Sequence, residues 1–114
     1  MHVEEKVVGE VAVVALKGEI LDQGDGMMLQ EKISSLKVDG MKKVIIDMGD
    51  VNRINSRGLS ALIAAVKVMR SVGGDIRVAQ LDKRLKDIFV KTKLVQVFST
   101  YETVGRAIAS YSLQ

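Results

Sequence analysis

The sequence predicts an α/β fold, a mixed β-sheet opened by an N-terminal hairpin and covered by about four α-helices. Two observations carry this reading. Two β-branched runs, residues 3–8 and 11–17, flank the pair Gly9-Glu10, a Gly-X step suited to a two-residue type II′ hairpin turn. From Met28 onward, stretches with apolar residues at helical spacing alternate with short apolar runs of strand length. The alternation gives the order β-β-α-β-α-β-α-β-α, in which parallel strands are linked by right-handed crossovers and the hairpin adds an antiparallel edge.

After the hairpin, residues 18–26 are polar and turn-rich. Leu29, Ile33 and Leu36 then fall at i, i+4 and i+7 and predict a first helix from Met28 to about Lys37. Gly40 closes the connection. Residues 43–48 (K-V-I-I-D-M) form the unbroken apolar run of a central strand covered by helices, with Asp47 and Asp50 at its far end. Leu59, Leu62, Ile63, Val66 and Met69 make a long amphipathic stripe, preceded by two good N-cap residues, Asn55 and Ser56. The second helix therefore starts at Ser56, and it stops at Val72-Gly73-Gly74, where glycine accepts a left-handed cap. Residues 75–80 return as a strand. Leu81, Leu85, Ile88 and Phe89 then recur at helical spacing to about Val90. A short strand is expected over 95–98, a cap at Ser99 or Thr100, and a terminal helix whose inner face is Tyr101, Val104, Ile108 and Tyr111.

Composition narrows the chemistry. At 114 residues the chain fits one domain over 1–114. With 47% hydrophobic and 27% charged residues it is ordinary globular material, not a disordered segment. It has no cysteine, and its one histidine, His2, follows the first Met. Thiolate or histidine metal sites and a Ser-His-Asp triad are excluded on that basis, since each needs side chains held rigidly in a site. No phosphate-binding loop is present: Gly24-Asp25-Gly26 is a lone G-x-G with an acidic centre and no G-K-[ST] after it, and it reads as a turn. Asp47 and Asp50 would suit a phosphoacceptor receiver, but the hairpin breaks the strand order which that fold requires. The expectation is a non-enzyme with no cofactor and no metal. The apolar stretch 11–16 is too short to span a bilayer and follows Glu4, Glu5 and Glu10 rather than a basic segment. The chain therefore reads as cytoplasmic, without membrane insertion.

Charge is unevenly spread. Residues 53–93 carry ten basic and three acidic side chains, a net +7, whereas the remainder, with seven basic and eleven acidic, is −4. Either this is a solvated surface, or one face takes an acidic partner or a phosphate. Direct binding to nucleic acid is disfavoured, because aromatics are only 4% and few platforms exist on which bases stack.

Ser56 is the residue with chemical potential. A serine at the mouth of a helix presents its hydroxyl among backbone N–H groups that lack intrahelical partners. Phosphorylation there adds about −1.5 to −2 charges where the helix dipole favours an anion, with Arg57 and Arg53 near in sequence. A partner fitted to the neutral surface would be repelled. The plain alternative is that Ser56, or Asn55, only caps the helix.

At this stretch the chain resembles the STAS domain family, the fold of bacterial anti-sigma factor antagonists. The family's hallmark D-x-x-x-V-x-x-[IM]-D-S-S-G-L is matched in register by Asp47, Val51, Ile54, Asn55, Ser56, Arg57, Gly58 and Leu59. Residues 13–20 (V-V-A-L-K-G-E-I) are similar to its second strand and G-E-[IL] signature, and residues 85–98, with Leu94 and Phe98, to its late helix and L-x-x-V-F segment. The resemblance implies a protein that binds an anti-sigma factor of the serine kinase type and so frees a sigma factor for transcription. The kinase phosphorylates the first serine of the motif, here Ser56, and a serine phosphatase restores it. It also implies that Asn55, Arg57, Gly58, Arg53 and Ser60 belong to the partner-binding surface, with Ser60 a secondary phosphate acceptor. Two positions depart from the pattern: Asn55 replaces the usual acid and Arg57 the second serine. Those departures motivate the alternative of an unphosphorylated STAS adaptor in a signalling scaffold or a lipid-transport complex. The oligomeric state is left open.

Overall fold

The computed structural model describes residues 1–112; Leu113 and Gln114 lie outside the described residues. Five strands form one mixed sheet in the order β1-β2-β3-β4-β5. β1 (His2–Val8) pairs antiparallel with β2 (Val11–Ile20). Gly9 turns between them with φ +60, as the first central residue of a type II′ turn requires. β3 (Lys43–Ile54), β4 (Asp75–Ala79) and β5 (Thr100–Tyr101) add in sequence, each parallel to its neighbour.

The helices are α1 (Gln23–Val38), α2 (Ser56–Arg70), α3 (Lys83–Lys91) and α4 (Val104–Tyr111). Because every crossover steps to the next strand in the same direction, right-handedness puts α1, α2 and α3 on one face of the sheet. The main core lies there: Val14, Leu16, Val44, Ile46 and Val78 of the sheet meet Leu29 and Ile33, Leu62 and Val66, and Leu85 and Phe89 of the three helices, all buried. α4 covers the opposite face, where Ala107 and Tyr111 close over Val11, Val13, Ile45 and Ala79.

The predicted order holds, with four differences. α1 begins at Gln23, not Met28, because Asp22 and Asp25 form a reciprocal capping box: the Asp22 carboxylate accepts the Asp25 N–H at 2.9 Å, and the Asp25 carboxylate accepts from Asp22 and Leu21. Gly24-Asp25-Gly26 is thus the first turn of a helix and not a loop. β3 continues past Met48 to Ile54, because beyond Asp47, where β4 stops, it still pairs with β2. Asp47 and Asp50 therefore lie inside the strand rather than at its end. The apolar run 95–98 is no strand: Leu94–Gln96 is a 3-10 turn entered through Lys93 in the left-handed region (φ +61), which buries Leu94 and Phe98 against α3. The fifth strand comes after it, at Thr100–Tyr101, and the cap of α4 is Thr103, not Ser99 or Thr100.

Candidate functional site

The register of β2 on β3 builds the site. Ile20 lies opposite Ile54, the last residues of two adjacent parallel strands, so the chain leaves the sheet twice at the same level. Each exit turns directly into a helix, and the starts of α1 and α2 stand side by side.

Asn55 is the N-cap of α2. Its side-chain oxygen accepts from the Arg57 N–H at 3.1 Å and the Gly58 N–H at 3.2 Å, while its amide nitrogen donates to the Leu21 carbonyl at 2.8 Å. One side chain thereby ties the start of α2 to the corner before α1. It also changes the local electrostatics, since two of the amides expected to face an incoming anion are already taken. What remains is the Ser56 N–H, which has no intramolecular acceptor among the described residues, and the positive end of the helix dipole.

Ser56 is the first residue of α2 and is exposed, and its hydroxyl makes no hydrogen bond to the described residues. It opens on a cleft of about 510 Å³ between the two helix starts, lined by Asp22, Gln23 and Gln30 from one side and by Ser56, Arg57 and Ser60 from the other. Small residues form its floor: Gly26 packs close to Ala61, and Gln30 donates to the Ala61 carbonyl at 3.0 Å. No acidic side chain lies in the first turn of α2. Arg57 is exposed and forms no ion pair with the described residues. At the corner before α1, the Asp25 carboxyl is held below the usual carboxylate range, chiefly by the Leu21 N–H it accepts.

The structure brings together Asn55, Ser56, Arg57 and Ser60 on this surface. Gly58 lies beneath it, buried: a Cβ there would come within 2.5 Å of the Ile20 carbonyl oxygen. Arg53 is exposed on the far side of Asn55, 3.6 Å from Glu19, and borders a second, smaller cleft. Sequence reasoning missed Asp22, Gln23 and Gln30, which depend on α1 starting early, and Arg84 of α3, which reaches the second cleft. The D-x-x-D spacing of Asp22 and Asp25 could have located the first three; nothing local marks Arg84. Among the described residues, no group of three or more His, Asp or Glu side chains is spaced to hold a metal ion, and no helix is long and apolar enough to cross a membrane.

The family model of the STAS domain matches residues 2–107. The chain belongs to the STAS domain family. Among STAS relatives, BtrV of Bordetella bronchiseptica, named as an anti-sigma factor antagonist, is 21% identical over 99 residues, covering 87% of this chain and 84% of that protein. The crystal structure of TM1081 from Thermotoga maritima, named likewise, superposes with a TM-score of 0.86 at 18% identity, over 95% of this chain and 92% of the other. SpoIIAA of Bacillus, a cell fate determinant solved in its phosphorylated form, gives a TM-score of 0.74 at 20% identity, covering 96% and 99% of the two chains. The five-stranded mixed sheet with four helices is thus the STAS fold.

Proposed function

We propose that this STAS domain binds an anti-sigma factor of the serine kinase type through the surface at the start of α2, so freeing a sigma factor, and that phosphorylation of Ser56 switches the binding off. The observation that carries the reading is the placement of Ser56. Its hydroxyl is exposed, unengaged and set on a cleft, at the positive end of a helix whose first turn holds no acid. A phosphate there adds about −1.5 to −2 charges next to Arg57 and a free N–H. The neutral cap adds no like charge beside it, and nothing buried has to move. The departures at Asn55 and Arg57 thus leave the site able to host a dianion. A partner packed against the unmodified surface would have to desolvate that dianion, which is costly without a matching cation. A serine phosphatase would reverse the switch. In this reading the chain is a binding module, and the kinase supplies the chemistry.

Incubation with the cognate serine kinase and ATP, followed by mass spectrometry, is expected to place one phosphate on the peptide containing Ser56. Ser56→Ala is expected to bind the anti-sigma factor and resist release, whereas phosphoserine installed at position 56 abolishes binding. Absence of phosphate from Ser56 sinks the switch; a pull-down that recovers a transporter or scaffold subunit instead of a sigma regulator favours the adaptor alternative.

A further inference from the structure

The partner-facing surface does not end at Ser56. On the other side of Asn55 lies the second cleft, of about 280 Å³, lined by Leu21, Arg53, Ile54, Asn55, Arg84 and Ile88. Its composition is that of a recognition groove: three apolar side chains, one polar cap and two guanidinium groups. Arg84, in the first turn of α3, is exposed, and its guanidinium donates to the backbone carbonyl of Asn52. That bond crosses from α3 to the part of β3 that runs beyond β4, and it fixes the direction of a long side chain at little cost in freedom. Arg84 has no carboxylate partner among the described residues, and neither has Arg57 on the near side of Asn55. Arg53 has only Glu19, at 3.6 Å between largely exposed groups, a pairing worth little in water. Of the other carboxylates of this region, Asp22 is engaged in capping α1 and Asp82 in capping α3, while the exposed Asp87 sits one residue before Ile88.

We infer that this surface, from Arg57 across Asn55 and Arg53 to Arg84 and Ile88 of α3, docks an acidic segment of the protein partner: carboxylates meet the three arginines and an apolar side chain enters over Leu21, Ile54 and Ile88. Charge complementarity commits the occupant. Three guanidiniums with spare donors match carboxylate oxygens bidentately, and the apolar floor supplies the contact area that a bare charge patch lacks. The inference deepens the proposed function, resting on this end as the partner-facing one. It gives the switch a direction: a phosphate at Ser56 brings the same sign of charge as the incoming segment and competes for Arg57.

The test needs no kinase. A synthetic acidic peptide, acetyl-EELDDLE-amide, is titrated into the 15N-labelled full chain beside its neutral counterpart with Gln for Glu and Asn for Asp. The expected result is saturable amide shifts at Asn55, Arg57, Arg84 and Ile88 with the acidic peptide only. Affinity should fall about three- to fivefold in Arg84→Gln and in Arg57→Gln, the range of one exposed charge pair, and be unchanged in the control Lys67→Gln, an exposed cation farther along α2. Phosphoserine at position 56 should weaken it further. Shifts shared evenly with Lys6, Lys37 and Lys67 would overturn the proposal, as would equal binding of the neutral peptide. Retention by phosphatidylserine vesicles that depends on Arg84, without peptide binding, would assign the patch to a lipid surface instead. Failure of the kinase assay with the peptide result intact would remove the switch and leave the docking surface standing.

Discussion

Gly58 has no room for a methyl group. A Cβ would sit 2.5 Å from the Ile20 carbonyl oxygen and 2.6 Å from Ile54 Cγ1. The first obstacle is backbone, which cannot rotate away, and the same oxygen accepts the Asn55 N–H at 3.4 Å. Two effects oppose each other in Gly58→Ala. Helix propensity favours alanine by about 1 kcal/mol, while overpacking costs about 1–3 kcal/mol, and here the clash also displaces the N-cap. The net expectation is a loss of about 1–2 kcal/mol in urea unfolding, with amide shifts at Asn55 and Leu21. A gain in stability would show that β2 and α2 are less tightly apposed than this contact requires. Ser56 next to it makes no such demand, and Ser56→Ala is expected to fold normally.

At the scale of the element, the start of α1 is the feature that titrates. The Asp25 carboxylate accepts backbone N–H groups from Leu21 at 2.9 Å and Asp22 at 3.4 Å, which holds its folded pKa below the ordinary value. A depressed carboxyl contributes stability that is fully present above its unfolded pKa, about 3.9, and is lost as pH falls through the lower folded value. Urea midpoints are therefore expected to drop below about pH 4. Asp25→Asn, which cannot ionise, should be less stable at neutral pH and show a shallower acid slope. An identical slope in the variant would remove Asp25 from the account.

The same helix shows where a sequence stops being readable. Its apolar stripe, Leu29, Ile33 and Leu36, was plain, but two glycines in the first turn concealed a start that the carboxylate pair at 22 and 25 enforces. The second half of β3 was hidden for a related reason. Gly49, Asp50 and Asn52 are exposed there because β4 has already ended, so the strand carries no apolar run to notice. Residues 95–98 misled in the opposite sense: their apolar side chains are core, but the backbone serving them is a turn set by a left-handed Lys93. α2 was read correctly to its first residue, because cap and stripe are both local signals. Its neighbours in space, Asp22, Gln30 and Arg84, were not, since only the pairing of distant strands brings them near.

For the whole molecule, the decisive asymmetry is that three helices share one face and α4 alone guards the other. Tyr111 is its anchor. The buried hydroxyl lies 2.8 Å from the Val44 carbonyl and 3.0 Å from that of Asp75, donating to one of them, and accepts from the Val44 N–H at 3.3 Å. The Arg77 guanidinium stacks 4.0 Å from the ring centroid and donates to Ser110 at 2.6 Å. Tyr111→Phe keeps the ring and the stacking but loses the hydroxyl's hydrogen bonds, an expected cost of about 0.5–1.5 kcal/mol visible as a lower Tm. Burial also raises the phenol pKa. For an acid whose folded pKa lies above the unfolded one, stability is intact below the unfolded value, about 10, and falls away as pH rises beyond it. Alkaline unfolding is thus expected to begin near pH 10, with the extra loss absent in Tyr111→Phe.

The amide of Asn55 reaches across to residue 21 and takes hold of a main-chain oxygen, not a side chain. That grip is indifferent to which amino acid occupies the corner. Residues rimming the serine can therefore be exchanged without loosening the corner that sets the hydroxyl in place.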